Sequence, residues 1–262
     1  MTADLATRAA AILAAGDPAD KVALTRRLAE DWRGGAVPPP MRRDVPLRPA
    51  RPVRPVLVHP RDLPKRKIGA SQAGRVALLH ALAHIELNAI DLAWDMLARF
   101  GADCTDQAFA DDWVSVAADE AEHFALLAAR LTSLGAGYGD LPAHDGLWQA
   151  AERTSHDLLA RLAVVPMVLE ARGLDVAPPM IARMENAGDR DSTAILCRIY
   201  ADEVSHVAAG ARWFRRLCRE RSLDDAATWR GLVRRYCDGA LRPPFNAPAR
   251  ERAGLPREFY LG

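Results

Sequence analysis

The chain has 262 residues, half of them hydrophobic, with 35 basic and 34 acidic side chains and a formal net charge of +1. That length suits one or two domains with a real core, and the charge balance argues against a chain that meets nucleic acid or a membrane surface with its whole face. The hydrophobic fraction excludes disorder, and no run approaches the roughly 20 uninterrupted apolar residues of a membrane span.

In chain order, Met1-Thr2-Ala3-Asp4 carries an early acid and no basic stretch ahead of an apolar core. It does not read as a signal peptide, and a cytoplasmic location with no membrane partner is expected. Residues 2–33 are rich in Ala and Leu, and Asp17-Pro18 reads as an N-cap followed by proline at the first helical position, so two short helices are predicted. Residues 37–64 then hold half of the 18 prolines. Proline at that density removes backbone donors and predicts an extended arm. The arm and its exit carry Arg42, Arg43, Arg48, Arg51, Arg54, Arg61, Lys65, Arg66 and Lys67 against Asp44 and Asp62. The first expectation is that the arm wraps its own domain, its arginines paired with surface acids; an RNA or an acidic partner is the competing reading.

From Ser71 the pattern changes to long Ala/Leu-rich helices over roughly 72–100, 106–134, 145–173 and 189–220, with Gly101, Gly135 and Gly173 where C-caps belong. A short helix is predicted to start at Pro178-Pro179 and another to cover about 223–239 before a proline-rich tail. Nothing alternates with period 2, so no sheet is predicted. The fold class is therefore all-α: a four-helix bundle over 71–221, with an N-terminal part over 1–70 packed on it and a C-terminal helix and tail over 222–262. The four cysteines, Cys104, Cys197, Cys218 and Cys237, have no Cys-x-x-Cys spacing and read as small buried hydrophobes.

The chemistry lies in the acids inside those helices. The second long helix reads Ala118-Asp119-Glu120-Ala121-Glu122-His123 and the fourth Ala201-Asp202-Glu203-Val204-Ser205-His206, both A-D-E-x-x-H. Glu and His three apart share a helix face, so one turn offers an oxygen and a nitrogen to one metal ion. Glu86 on the first helix and Glu170 on the third sit in apolar runs, where a carboxylate is costly unless paired or metal-bound. Glu86 to Glu120 is 34 residues and Glu170 to Glu203 is 33; Glu86 to Glu170 is 84 and Glu120 to Glu203 is 83. The chain thus reads as a repeated helical hairpin giving E, E-x-x-H, E, E-x-x-H, a ligand set for two metal ions. Exposed acids beside two satisfied histidines would not produce the matched spacing.

These residues carry a resemblance. With the string His80–Ala89, the segment Glu170-Ala-Arg-Gly-Leu-Asp175 and the stretch Leu141-Pro-Ala-His-Asp-Gly-Leu-Trp148, the chain resembles the ferritin-like di-iron carboxylate superfamily, and within it a bacterial branch known as a domain of unknown function. The likeness covers roughly residues 35–240. It implies that Glu120 and Glu203 bridge two ions, that Glu86 and Glu170 are terminal ligands, and that His123 and His206 each cap one ion. Asp119 and Asp202 match aspartates that in related oxygenases hydrogen-bond the ligand histidine of the opposite repeat. Glu122 and Ser205 stand where some oxygenases carry arginine.

The implied cofactor is two iron ions, with mixed manganese–iron or two manganese ions as alternatives, and the implied activity is that of an oxidase or monooxygenase. It would activate dioxygen to oxidise or hydroxylate a small-molecule substrate, with an external electron donor and a homodimer as further expectations. Two other functions compete: iron oxidation and storage or peroxide detoxification, as in ferritins, and a tRNA-modifying di-iron hydroxylase with the basic arm on its substrate. Tyr200, three residues before Glu203, is the candidate catalytic tyrosine, with a core role as the plainer reading. Pro166, four before Glu170, is expected to kink the third helix. His80 and His84 are expected to be supporting or structural, His144 to bond backbone in a loop, and Trp94, Trp113, Trp148 and Trp213 to be core or interface aromatics.

Overall fold

Caps, not propensity alone, decide where the helices begin. The computed structural model describes residues 2–63, 71–237 and 241–261; the basic residues Lys65, Arg66 and Lys67, the expected boundary at 70/71 and the expected helix end at 239 fall outside or at the edge of these. The chain is all-α and compatible with a helical bundle. Among the described residues no strand forms, and the one isolated bridge joins Leu57 to Ala143. The molecule divides into two compact units, Met1–Trp148 and Gln149–Gly262, so each unit carries one copy of the E, E-x-x-H repeat.

In the first unit, α1 (Leu5–Ala14) and α2 (Pro18–Arg33) begin at Asp4 and Asp17, whose carboxylates accept from the first backbone amides. The expected Asp17-Pro18 start is observed. α3 (Gln72–Phe100) starts at Ser71 and α4 (Gln107–Ser133) at Asp106. Gln72 at the start of α3 donates to the Leu134 carbonyl beyond the end of α4, so the two form an antiparallel hairpin. α1 packs on α3 and α2 on α4. α3 is long and apolar enough to cross a membrane by composition, yet 78% of its apolar window is buried inside the protein; it is apolar on nearly all sides because it is surrounded. Trp94 and Trp113 lie in this core, 0% and 1% exposed.

Over its described residues the arm is extended, with a short 3₁₀ turn at Pro60–Asp62. Its backbone is tied to α1 through the Pro38 carbonyl and the Ala50 amide, and to the Ala143 loop through Val56 and Val58. Arg42 meets Asp103, Arg48 meets Asp145 and Arg51 meets Asp91. Three of the arm's arginines are thus paired within its own unit, Arg51 with a buried aspartate rather than the surface acid expected. Gly101 follows α3 with a right-handed φ of −58°, so it is not there for left-handed freedom. A Cβ at that position would come within 2.9 Å of Pro40 Cγ, where the arm crosses.

The second unit departs more from expectation. The continuous helix expected over 145–173 is instead α5 (Gly146–Arg153), α6 (Leu158–Val164), a π-helical turn (Val165–Glu170) and α7 (Ala171–Asn186). The expected kink at Pro166 is observed as the π turn: without an N–H, Pro166 cannot bond the Leu162 carbonyl, and the wider turn absorbs the loss. Its ring lies on Gly210 of α8 (Arg190–Glu220), where a Cβ would approach it to 2.4 Å.

Two readings are corrected here. Gly173 does not cap a helix but lies inside α7, and Pro178-Pro179 does not start one but sits in the interior of the same helix. The second is tolerated because the Leu174 carbonyl, which Pro178 cannot serve, accepts from Asn246 Nδ2 at 3.0 Å. After α8 come α9 (Asp225–Tyr236), α10 (Ala247–Arg252) and α11 (Arg257–Tyr260), the last two in the proline-rich tail. The cysteines also differ from expectation: Cys218 is buried, Cys104 and Cys237 are half-buried, and Cys197 on the outer side of α8 is exposed.

Candidate metal centre

The first unit brings three of the predicted ligands together. α3 presents Glu86 and the facing α4 presents Glu120 and His123 from one turn. All three are buried, at 2%, 0% and 0% exposure. His123 Nδ1 lies 3.3 Å from Glu86 Oε2 and 3.4 Å from Glu120 Oε2, and one donor atom from each residue falls within 4.8 Å of the others. Donors about 2.1 Å from a shared ion stand roughly 3.0–3.4 Å apart around it, so both contacts of His123 have the separation of ligands on one ion.

The electrostatics point the same way. Burial and the neighbouring Glu120 carboxylate push Glu86 up to about 8. Burial works against a charged His123, but the nearby Glu120 and Glu86 carboxylates prevail and raise it to about 11. Both directions reflect the same cause: two carboxylates in a dry interior repel each other unless positive charge lies between them. A divalent ion would supply that charge, and the Oε2 atom of Glu86 is buried without a hydrogen-bond donor in satisfactory geometry. Two carboxylate oxygens and one imidazole suit iron, manganese or zinc. The residues fit a metal.

The second unit places Glu203 and His206 on one turn of α8, 8% and 1% exposed, with His206 Nδ1 4.0 Å from Glu203 Oε2. Glu170 is half-buried and closes the π turn, a kind of bulge that recurs at functional sites. One turn further on, a Cβ at Gly173 would meet the Glu203 carboxyl carbon at 3.9 Å, so the helix that follows Glu170 runs close to Glu203. Asp119 is half-buried beside Glu120, and Asp202 is paired with Arg198 one turn back on its own helix. The Tyr200 hydroxyl accepts from Asn246 Nδ2 at 2.9 Å.

His80 and His84 serve the loop before Trp148. His80 Nε2 accepts from the Gly139 and Leu141 amides at 2.9 and 3.4 Å. His84 Nδ1 lies 2.9 Å from the Tyr138 hydroxyl and Nε2 3.1 Å from the His144 carbonyl. Burial lowers His84 to about 4, so the ring is neutral: Nε2–H donates to the carbonyl and Nδ1 accepts from the tyrosine. His144 Nδ1 accepts from the Gly146 amide, a backbone bond in a loop as expected.

Two buried polar networks were not foreseen. In the first unit Lys21 Nζ and Arg51 bind the two oxygens of Asp91 at 2.7 and 2.6 Å. In the second, Arg250 binds both oxygens of Asp175 at 2.9 and 2.7 Å. The available signal was an aspartate in the apolar run of α3, the same kind of signal that singled out Glu86.

Comparison with known proteins agrees on one point. A family model described as "Protein of unknown function (DUF455)" matches residues 14–261. A protein of Haemophilus influenzae (strain ATCC 51907 / DSM 11121 / KW20 / Rd) described as "Uncharacterized protein" is 41% identical over 211 residues, which span 79% of this chain and 73% of that one. No solved structure matches.

Proposed function

Taking as premise that the chain belongs to the family of proteins of unknown function DUF455, we propose that it is a ferritin-like dinuclear-metal oxidoreductase. Glu86, Glu120 and His123 with Glu170, Glu203 and His206 would hold two ions, iron first, and the substrates would be dioxygen and a small organic molecule. The observation that carries this reading is the buried Glu86–Glu120–His123 triad with ligand-like separations of 3.3 and 3.4 Å. The repeat supplies the second set, because His206 stands 83 residues after His123, as Glu203 does after Glu120.

Ferrous ions bound there would supply electrons to dioxygen. The chain's own residues would hold those ions and keep water out. The apolar run of α3 around Glu86 excludes solvent from the ligands, which sharpens every charge interaction there. Tyr200 shares the helix face of Glu203, three residues on, and is the proposed hydrogen-bonding residue of the centre. The pairing of Arg42, Arg48 and Arg51 with acids of their own unit favours the oxidoreductase over a nucleic-acid reading.

The test is to load the metal-free chain anaerobically with ferrous iron, mix it with dioxygen and follow oxygen consumption and the absorbance of oxidised iron. A fast phase that disappears in Glu120→Ala is the expected result. Equal, slow oxidation in both proteins would overturn the proposal.

A further inference from the structure

The repeat extends beyond the metal ligands. Five residues after Glu86 stands Asp91, and five residues after Glu170 stands Asp175, so the two aspartates are 84 residues apart, as the two glutamates are. Both are buried, at 0% and 4% exposure. At roughly 100° per residue, positions two and five beyond each glutamate fall about 140–200° round the helix from it. They therefore occupy the back of the element whose front carries the ligand.

Each aspartate is gripped by an arginine from a segment outside the repeat. Arg51 of the proline-rich arm binds Asp91 Oδ2 and, with its other nitrogen, the Oδ1 of Asn88, both at 2.6 Å. Arg250 of the C-terminal tail makes a two-pronged pair with Asp175. Position two beyond the glutamate is used again in the second copy, where Arg172 donates to the Arg242 and Pro244 carbonyls of the tail at 2.9 and 3.0 Å. Both arginines also lie over aromatic rings: Arg51 over Trp148 at 5.7 Å, Arg250 over Tyr260 at 4.7 Å and Phe245 at 5.1 Å. The aspartates recur with the repeat, whereas the arginines come from opposite ends of the chain. The same demand is met twice from unrelated sequence.

Resting on the metal reading above, we infer that Arg51 and Arg250 are positioning residues for the two metal ions: each grips a buried aspartate behind a ligand glutamate and fixes where Glu86 or Glu170 stands. A planar guanidinium held by two hydrogen bonds and a ring fixes angle as well as distance, which a single point charge does not. Partners behind a ligand tune its metal in this way.

The variants Arg51→Gln and Arg250→Gln, made in the full chain, test it. Neither strands a buried carboxylate: Asp91 keeps Lys21 at 2.7 Å, and Asp175 keeps the Asn246 amide at 2.9 Å. Amide hydrogen exchange of the metal-free proteins should rise by about tenfold or more around residues 84–92 in the first variant and 168–176 in the second, each leaving the other copy unchanged. In ferrous titrations the wild type should bind two ions, and each variant should bind one of them about 10–100-fold more weakly. If a glutamine variant fails to fold, Arg51→Lys or Arg250→Lys, which keeps the buried charge but not the fork, is read by the same two measurements. Wild-type binding of two ions with variants identical to it, or exchange that rises uniformly over the chain, would overturn the positioning role alone. A wild-type chain that binds no metal would overturn the metal reading and this role with it.

Discussion

The Glu86 carboxyl and the His123 imidazole carry the charge logic of the first half-site. Both are raised, to about 8 and about 11, so the metal-free fold holds protons there that the unfolded chain gives up more readily. For Glu86 this stabilises the metal-free chain fully below its ordinary value near 4.5, and the gain is lost as pH rises through 8; for His123 it is present below 6.5 and is lost towards 11. Metal binding has the opposite sign, because the ion must displace those protons. Affinity for ferrous or cobaltous ion should rise between pH 6 and 8 by about tenfold per unit for each proton released; a titration showing a flat or falling affinity would contradict the assignment. At the same scale, Tyr200→Phe removes the acceptor for Asn246 and should cost about 1 kcal/mol in urea unfolding while leaving metal content intact. Loss of metal would make Tyr200 a structural part of the site.

Elements explain what could and could not be read in advance. The candidate ligands were legible because a metal would demand particular side chains at particular spacing, and the repeat displays that spacing twice. The long helices α3, α4 and α8 were legible for the same reason in another form: an uninterrupted apolar or amphipathic period between an N-cap and a stop. The third long helix was not, because Pro166, Pro178 and Pro179 are tolerated through contacts distant in sequence, namely Gly210 beneath the Pro166 ring and Asn246 at the Leu174 carbonyl. Gly210→Ala puts a methyl 2.4 Å from Pro166 carbons, and overpacking of that kind should destabilise the chain by about 1–3 kcal/mol. A thermal midpoint equal to that of the wild type would show that the π turn yields freely.

In the whole molecule, the N-terminal helices, the arm and the tail pack against the helices that carry the candidate ligands. Lys21 reaches from α2 into α3 with its Nζ on Asp91 and on the Ile12 carbonyl, fully buried. Lys21→Met should cost about 2–4 kcal/mol in denaturant unfolding, below the full penalty of an orphaned charge because Arg51 remains on Asp91. A cost under about 0.5 kcal/mol, the range of ordinary surface changes, would mean that α2 is not anchored this way. The pairing of the arm was expected only in outline, since a proline-rich segment has no period from which its partners can be read. Which acid each arginine meets is decided by the fold.

The proposed function requires that the two copies of E, E-x-x-H hold two metal ions. Elemental analysis of protein produced with iron and manganese both supplied tests it most directly, with Glu120→Ala and Glu203→Ala as controls. Two metal ions per chain are expected in the wild type, iron or iron with manganese, with loss of the dinuclear content in either variant. Less than half a metal ion per chain after anaerobic reconstitution, or two ions retained in the variants, would contradict it.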